Sequence, residues 1–206
     1  MDPKAMYKLS YGLFVVTTFS DGKFNGCISN TAIQVANDPT RLGLAINKAN
    51  LTHDMIKEAG KFNVSIISEE ADFELFKHFG MQSGRDVDKF LGYKDCAGAA
   101  NGIPYITKGT NAVMCCTVTE MFDLGSHTFF VATIDDMIVL SDADSATYTY
   151  YQTSIKPQPG KPADPADGAV WRCKICGYEW EGEELPDDFI CLVCKHPKAD
   201  FEKVTV

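Results

Sequence analysis

Short apolar runs separated by polar turns dominate residues 1–150. The runs LSYGLFVVTTFS and KFNGCISNTAIQVA flank the pair Asp21-Gly22, which predicts a β-hairpin because both residues tolerate the left-handed conformation of a tight turn. Further strands are predicted in RLGLAIN, KFNVSIIS, AVMCCTVTEMF and HTFFVATIDDMIVL. Strands therefore predominate, and their mostly antiparallel pattern indicates a mainly β fold, a barrel with helical insertions.

Two segments between the strands have helical patterns. In LTHDMIKEAG, Thr52 is the predicted N-cap and Gly60 the predicted end of the helix. In SEEADFELFKHFG, Ser68 is the predicted cap, and Phe73, Phe76 and Phe79 recur at helical spacing.

A proline-rich segment divides the chain. Proline fixes its own backbone and removes a hydrogen-bond donor, so the segment TSIKPQPGKPADPADGA is expected to be an extended spacer. We therefore predict a domain over residues 1–153, a linker over residues 154–169 and a second module over residues 170–206.

Composition and charge limit the possible partners. With 206 residues, 45% hydrophobic and 23% charged, the chain is globular in composition, and its formal charge of −9 disfavours nucleic acid, which is bound mainly through cations. No apolar run approaches the roughly 20 residues of a membrane-spanning helix. The N-terminal MDPKAMYKLS lacks the apolar stretch of a signal peptide. We expect a cytoplasmic protein without a membrane or nucleic-acid partner.

Four cysteines in two close pairs, CKIC and CLVC, predict a metal site in the second module. This module is too small to be held by a hydrophobic core alone, and four thiolates can converge tetrahedrally on one metal ion. Spacing alone fits structural zinc as well as a redox-active iron. The predicted ligands are Cys173, Cys176, Cys191 and Cys194. Elsewhere, Cys115 and Cys116 are predicted to be small buried thiols on opposite sides of a strand.

The sequence around these pairs favours iron. Tyr178, Trp180, Phe189 and Phe201 can exclude water from a small iron site. With CKICGYEWEG and LPDDFICLVC, they make the module resemble the rubredoxins. That resemblance implies one iron per chain that carries one electron. A zinc ribbon, which would have no electron role, is the alternative.

Three polar segments of the first domain indicate a phosphate-bearing ligand, although neither a G-x-G-x-x-G nor a P-loop motif is present. The first follows a strand, the second begins a predicted helix, where free amides favour an anion, and the third is a glycine-containing loop. The residue order shows no Ser-His-Asp arrangement. The candidate cofactor-binding residues are Ser29, Asn30, Thr31, Lys48, Asn50, Thr52, His53, Arg85 and Lys89.

Together with YGLFVVTT and GSHTFFVATI, these segments resemble the FMN-binding split barrel of the flavin reductase family over residues 5–150. The resemblance implies a homodimer with FMN near the subunit interface. It implies that the segment from Lys48 to His53, with Arg85, holds the phosphate, and that the flavin ring lies along residues 29–31. His127 is the candidate catalytic residue at the flavin face, where NADH or NADPH arrives.

The whole chain resembles the high-molecular-weight rubredoxins, in which a flavin reductase-like domain is fused to a rubredoxin domain. This implies that electrons pass from NAD(P)H through FMN to iron, and then to an external acceptor, typically a flavodiiron protein that reduces oxygen or nitric oxide. Three alternatives remain open. They are a flavin or ferric reductase that releases reduced flavin, a carrier reduced by a separate reductase, and a flavin-binding protein with a zinc ribbon.

Overall fold

A computed structural model describes residues 2–157, 170–175, 178–181, 185–187, 189–191 and 196–204. The chain divides into two compact units, residues 1–156 and 157–206. The first unit thus extends to Lys156, because residues 154 and 155 continue a helical turn where the linker is predicted to begin. Residues 158–169 of the predicted linker lie outside the described residues.

An antiparallel seven-stranded sheet forms the first unit, in the order β2-β1-β5-β8-β9-β4-β3. A second, two-stranded sheet pairs β6 with β7. The strands are β1 (Phe14–Ser20), β2 (Lys23–Ser29), β3 (Ala32–Asn37), β4 (Thr40–Asn47), β5 (Lys61–Ile67), β6 (Cys96–Gly98), β7 (Pro104–Ile106), β8 (Thr110–Asp123) and β9 (His127–Val139). The predicted mainly β fold with helical insertions is confirmed.

The β1–β2 hairpin turns where it is predicted to turn. Asp21 and Gly22 have φ values of 49° and 72°, the left-handed conformation that the pair was expected to supply. Strand β1 separates two cores, because Val15 and Val16 point to opposite faces and both are fully buried. Val16 belongs to a core shared with β4, β5 and β9, whereas Val15 packs with Phe76 and Phe79.

The helices are α1 (Leu51–Ala59), α2 (Phe73–Gly80) and the short α3 (Tyr148–Tyr150), which continues into a π-helical turn over Tyr151–Ile155. A 3-10 helix over Pro3–Lys8 precedes the first strand. None of the helices in these described stretches is long and apolar enough to span a membrane.

Both predicted N-caps are wrong, whereas the predicted end of α1 is confirmed. Helix α1 begins after Asn50, so Thr52 lies inside its first turn, and it ends at Gly60 with φ of 67°. Helix α2 begins later than predicted, because the side chain of Asp72 accepts a hydrogen bond from the Leu75 amide and caps it. Ser68 instead forms an isolated bridge with Ser145.

In the second unit, a three-stranded antiparallel sheet supports a small core. The strands β10 (Val170–Cys173), β11 (Glu179–Glu181) and β12 (Phe201–Val204) lie in the order β11-β10-β12. Cys173, Cys191, Leu185 and Phe201 form the buried cluster, and aromatic side chains pack around it. A 3-10 turn over Lys198–Asp200 leads into the last strand.

Candidate functional site

The polar residues predicted from the first two segments meet around the N-terminal end of α1. This end of the helix follows strand β4 directly, and β4 pairs with β9, so that Asn47 lies opposite His127. The end of β2 reaches the same strand, since the Thr31 hydroxyl donates to the Ala45 carbonyl at 2.9 Å and that of Ser29 at 3.4 Å. Asn30 lies between these two residues in the turn from β2 to β3.

Helix α1 begins without a side-chain cap. Asn50 occupies the N-cap position, and its side chain makes no capping hydrogen bond. Thr52 is buried beneath it and accepts a hydrogen bond from the Asn25 amide at 3.0 Å. An uncapped helix start leaves amide groups and the positive end of the helix dipole for an anion.

Lys48 lies beside this helix start and binds the tip of the β8–β9 hairpin through an ion pair and a backbone hydrogen bond. Its ammonium group is 2.6 Å from a carboxylate oxygen of Asp123, and its amide donates to the Ser126 carbonyl at 3.0 Å. The ion pair lowers the pKa of Asp123. His127 opens β9 next to this contact, and its Nδ1 lies 2.9 Å from the Ser126 hydroxyl.

Arg85 reaches the same region through Asp54, in the first turn of α1. Its Nη2 donates to Asp54 Oδ2 at 2.8 Å, and the other carboxylate oxygen lies 2.9 Å from His53 Nδ1. The hydrogen bonds from His53 and Arg85 lower the pKa of Asp54. Opposite Asp54, His53 Nε2 lies 2.8 Å from the hydroxyl of Thr128.

Lys89 lies apart from these cations. It is only 3% exposed, and its ammonium group donates to the carbonyl oxygens of Gly26 at 2.8 Å and Phe79 at 2.9 Å. Burial lowers the pKa of Lys89. The described contacts therefore give Lys89 a role in joining β2 to α2 rather than in facing an anion.

Sequence reasoning missed several polar residues of this region: Asn25, Cys27, Asp54, Asp123 and Thr128. Asp54 has one local signal, since it follows His53 directly in the first turn of a predicted helix. Thr128 has none, because it meets His53 only through the pairing of distant strands. Burial raises the pKa of the Cys27 thiol, which is consistent with an unreactive side chain.

A cavity of about 360 Å³ lies elsewhere, against α2. Its lining includes Asp72, His78, Tyr93, Asp95 and Lys108, and none of the predicted cofactor-binding residues. This cavity therefore does not coincide with the polar cluster at the start of α1.

Two of the four predicted metal ligands lie within the described residues. Cys173 is 1% exposed and Cys191 is fully buried, and Trp171, Tyr178, Trp180 and Phe189 pack against their cluster. The backbone amides of Cys173 and Cys191 donate at 2.8 Å to the carbonyls of Tyr178 and His196, respectively. Buried thiols in such a water-excluding shell fit a thiolate-bound metal. Cys176 and Cys194 lie outside the described residues.

The remaining cysteines are consistent with a structural role. Cys115 is 2% exposed and Cys116 is fully buried, which confirms the prediction of buried thiols there. Burial raises the pKa of Cys116 to about 12. Cys96 is partly buried, and burial raises its pKa as well.

Family comparisons agree with this two-unit arrangement. Residues 6–158 match the flavin reductase like domain, and residues 171–202 match the rubredoxin-like domain of rubrerythrin. The chain therefore belongs to the flavin reductase-like family and carries a rubredoxin-like domain at its C-terminus. The predicted fusion of these two domains is confirmed, and the cofactors that the two families imply are a flavin and iron.

Individual relatives cover different shares of the chain. The high molecular weight rubredoxin of Moorella thermoacetica is 33% identical over 99% of this chain and 100% of its own length. A ferric-chelate reductase (NAD(P)H) of Archaeoglobus fulgidus is 38% identical over 73% of this chain and 89% of its own. The FMN-binding protein of Thermus thermophilus shares the fold, with a TM-score of 0.62 at 20% identity over 90% of this chain and 94% of that chain.

Proposed function

We propose that this protein transfers electrons from NADH or NADPH, through a bound FMN, to one iron held by four cysteines, and then to an external redox protein. The observation that carries the proposal is the presence, in one chain, of a flavin reductase-like domain and a rubredoxin-like domain. The 33% identity to a high molecular weight rubredoxin over the full length of both proteins supports it. A flavodiiron protein is the proposed acceptor.

The uncapped start of α1 is the proposed phosphate site. There, the amides of Leu51 and Thr52 remain as donors, since those of Asn50 and His53 already donate to the carbonyls of Asn47 and Asn50. Lys48 and Arg85 provide positive charge nearby. Ser29, Asn30 and Thr31 are proposed to line the flavin ring. Lys89 is left out of this set, since both of its described hydrogen bonds go to backbone carbonyls.

His127 is proposed to face the nicotinamide. It opens β9 beside Asn47 and Lys48, so that it lies at the same end of the sheet as the proposed phosphate site. The named activities of relatives, a ferric-chelate reductase (NAD(P)H) and an NADH:FAD oxidoreductase, support a nicotinamide donor for this chain. We propose no proton-abstracting residue, because the protein's part is to bind and orient the two cofactors.

Joining the two domains has a chemical reason. A bound flavin accepts a hydride as an electron pair and releases the electrons singly, whereas a single iron accepts one at a time. In the second unit, Cys173, Cys176, Cys191 and Cys194 are the proposed iron ligands. The aromatic side chains that pack around Cys173 and Cys191 would limit water access to the metal, which helps to tune its potential.

A homodimer is proposed for the first unit, because an apolar surface lies on the outer side of β3, β4, β8 and β9. Ile33 and Leu124 are 61% and 60% exposed, and Val35 and Phe122 are exposed as well. The side chains of Phe129 and Val35 lie over Gly43, where a Cβ would clash with both, so they pack across β4. Contiguous apolar surface of this kind is typical of an interface between proteins. We name Ile33, Val35, Phe122 and Leu124 the outer apolar face.

A second candidate function is a ferric-chelate or flavin reductase with the rubredoxin domain as an accessory. The observation that favours it is the 38% identity to the Archaeoglobus protein, which covers 73% of this chain. Loss of flavin during gel filtration would support this candidate. Tightly retained flavin supports the relay.

The test is an anaerobic titration of the purified protein with NADH, followed by visible absorption, with iron and zinc counted in the same sample. The relay predicts one iron per chain and bleaching of both the flavin and the iron bands. If the flavin bleaches while the metal is zinc or stays oxidised, the relay is wrong and the reductase function is favoured. If neither NADH nor NADPH bleaches retained flavin, the chain is a carrier that a separate reductase supplies.

A further inference from the structure

Four side chains form a continuous hydrogen-bonded series from strand β9 to the loop that carries Arg85. The hydroxyl of Thr128 lies 2.8 Å from His53 Nε2, and His53 Nδ1 lies 2.9 Å from Asp54 Oδ1. The second carboxylate oxygen of Asp54 accepts from Arg85 Nη2 at 2.8 Å. The series joins three segments that are distant in sequence, around residues 53, 85 and 128.

The donors and acceptors in this series can be assigned from chemistry. An ionised carboxylate only accepts, so His53 must carry a proton on the Nδ1 that faces Asp54. In the neutral imidazole, Nε2 then has only a lone pair, and the Thr128 hydroxyl donates to it. His53 is thus oriented from both sides, and it directs one oxygen of Asp54 inward while the other oxygen stays available to Arg85.

A hydroxyl, an imidazole and a carboxylate in this order also make up the catalytic triad of hydrolases, but Thr128 is not placed to attack a substrate. It is only 8% exposed, and it lies opposite Ile46, which is buried in the core. Nucleophilic attack requires access that this hydroxyl lacks. The series therefore positions a group at its exposed end, which is Arg85, whose side chain is 51% exposed.

Taken alone, a carboxylate at the position of Asp54 is electrostatically unfavourable for phosphate binding at the proposed site. It lies in the first turn of α1, next to the uncapped amides where a phosphate is proposed to bind. A carboxylate repels a phosphate at short range, so Asp54 by itself weakens binding. Its presence is explained if it contributes more by holding a cation than it costs by repulsion.

We propose that Asp54, oriented by His53 and Thr128, is the positioning residue that holds Arg85 at the phosphate site. This inference rests on the proposed flavin site and adds to it the residues that orient the Arg85 guanidinium group. The N–H donors of Arg85 that Asp54 does not use remain for a phosphate.

The backbone of the loop that carries Arg85 is held by hydrogen bonds that do not involve Asp54. Lys23 donates to the Gly84 carbonyl at 2.8 Å, and Ser83 accepts hydrogen bonds from the amides of Arg85, Asp86 and Val87. Removing the Asp54 carboxylate should therefore release the guanidinium group while the loop keeps its place.

The test compares FMN with riboflavin, which lacks the phosphate, by quenching of flavin fluorescence on binding to the full-length protein. In Asp54→Asn, we expect FMN to bind roughly three- to tenfold more weakly and riboflavin to bind as before, the size expected for a half-exposed charged hydrogen bond. Arg85→Ala should have a similar effect, and the double variant should be no weaker than Arg85→Ala alone. Asp54→Glu should restore part of the preference for FMN.

Simple repulsion predicts the opposite sign, so the experiment separates the two explanations. If Asp54→Asn binds FMN more tightly, or equally, the positioning role is wrong. The matched control is Glu74→Gln, which removes a carboxylate from an exposed ion pair with Lys77 on α2 and should change neither affinity. A wild-type protein that binds FMN no better than riboflavin would overturn the phosphate site itself, and the role of Asp54 with it.

Discussion

Arg85 and Lys89 show how one structure separates two residues that look alike in sequence. Both are cations of the same glycine-containing loop, and the sequence makes both candidate cofactor-binding residues. Arg85 is half-exposed and reaches α1, whereas Lys89 is 3% exposed and donates to two backbone carbonyls. The loop has no periodicity from which the direction of a side chain can be read, so this difference depends on tertiary packing.

Cys173 provides a prediction for the metal centre. Replacing it with serine removes one of four proposed thiolates, so Cys173→Ser should lose the iron-thiolate absorption and most of the iron, since metal affinity depends on the ligand set. The first unit should still bind flavin and be reduced by NADH. Iron analysis and the visible spectrum of the same sample give the measurement.

Cys96→Ser is the matched control, because Cys96 is a partly buried thiol in the first unit with no role in the metal site. It should retain both chromophores. Full iron content in Cys173→Ser would exclude Cys173 as a ligand.

The strands and the turn between β1 and β2 are easier to predict from the sequence than the ends of the helices. The β1–β2 hairpin has an Asp-Gly turn and long alternating runs on both sides, so local chemistry and packing agree. Ser68 and Asp72 are both candidate N-caps of helix α2 in the sequence, and in the structure Asp72 caps the helix while Ser68 forms a tertiary bridge with Ser145. No local feature of the sequence predicts that bridge.

The loop before Arg85 yields a prediction at the scale of an element. A side chain at Gly84 would place its Cβ 2.2 Å from the Oδ1 of Asn25, which is too close for both groups to stay in place. Asn25 is buried and also bonds Thr52, so the loop must move instead. We expect Gly84→Ala to displace Arg85 and to weaken FMN binding severalfold more than riboflavin binding, as fluorescence titration can measure.

Gly98→Ala is the control for this substitution. No atom lies within 4 Å of a Cβ at Gly98, so the added methyl group meets open space. If the two variants bind FMN equally well, close packing of the loop on Asn25 does not contribute to the site.

For the whole molecule, the outer apolar face predicts the oligomeric state. Ile33→Glu places a charge on the outer apolar face, where burial without a partner is costly. The variant should be monomeric by light scattering and should retain less FMN, because the flavin is proposed to lie near the interface. Met137→Glu, which changes a residue 62% exposed at the far end of β9, should stay dimeric. A dimeric Ile33→Glu protein would exclude this face.

The proposed flavin site belongs to the first unit and the proposed iron site to the second. The rate of electron transfer from flavin to iron is therefore a property of the whole molecule. A covalent link makes the encounter of the two centres intramolecular and replaces the bulk concentration by an effective one, in the millimolar range for short flexible linkers. After rapid mixing with NADH under anaerobic conditions, iron reduction should therefore follow flavin reduction at a rate that does not change when protein concentration is varied tenfold. The same holds if the iron accepts electrons from the partner subunit of a stable dimer. A rate that rises in proportion to concentration would show transfer between separate molecules, and the fusion would then have no kinetic role in the relay.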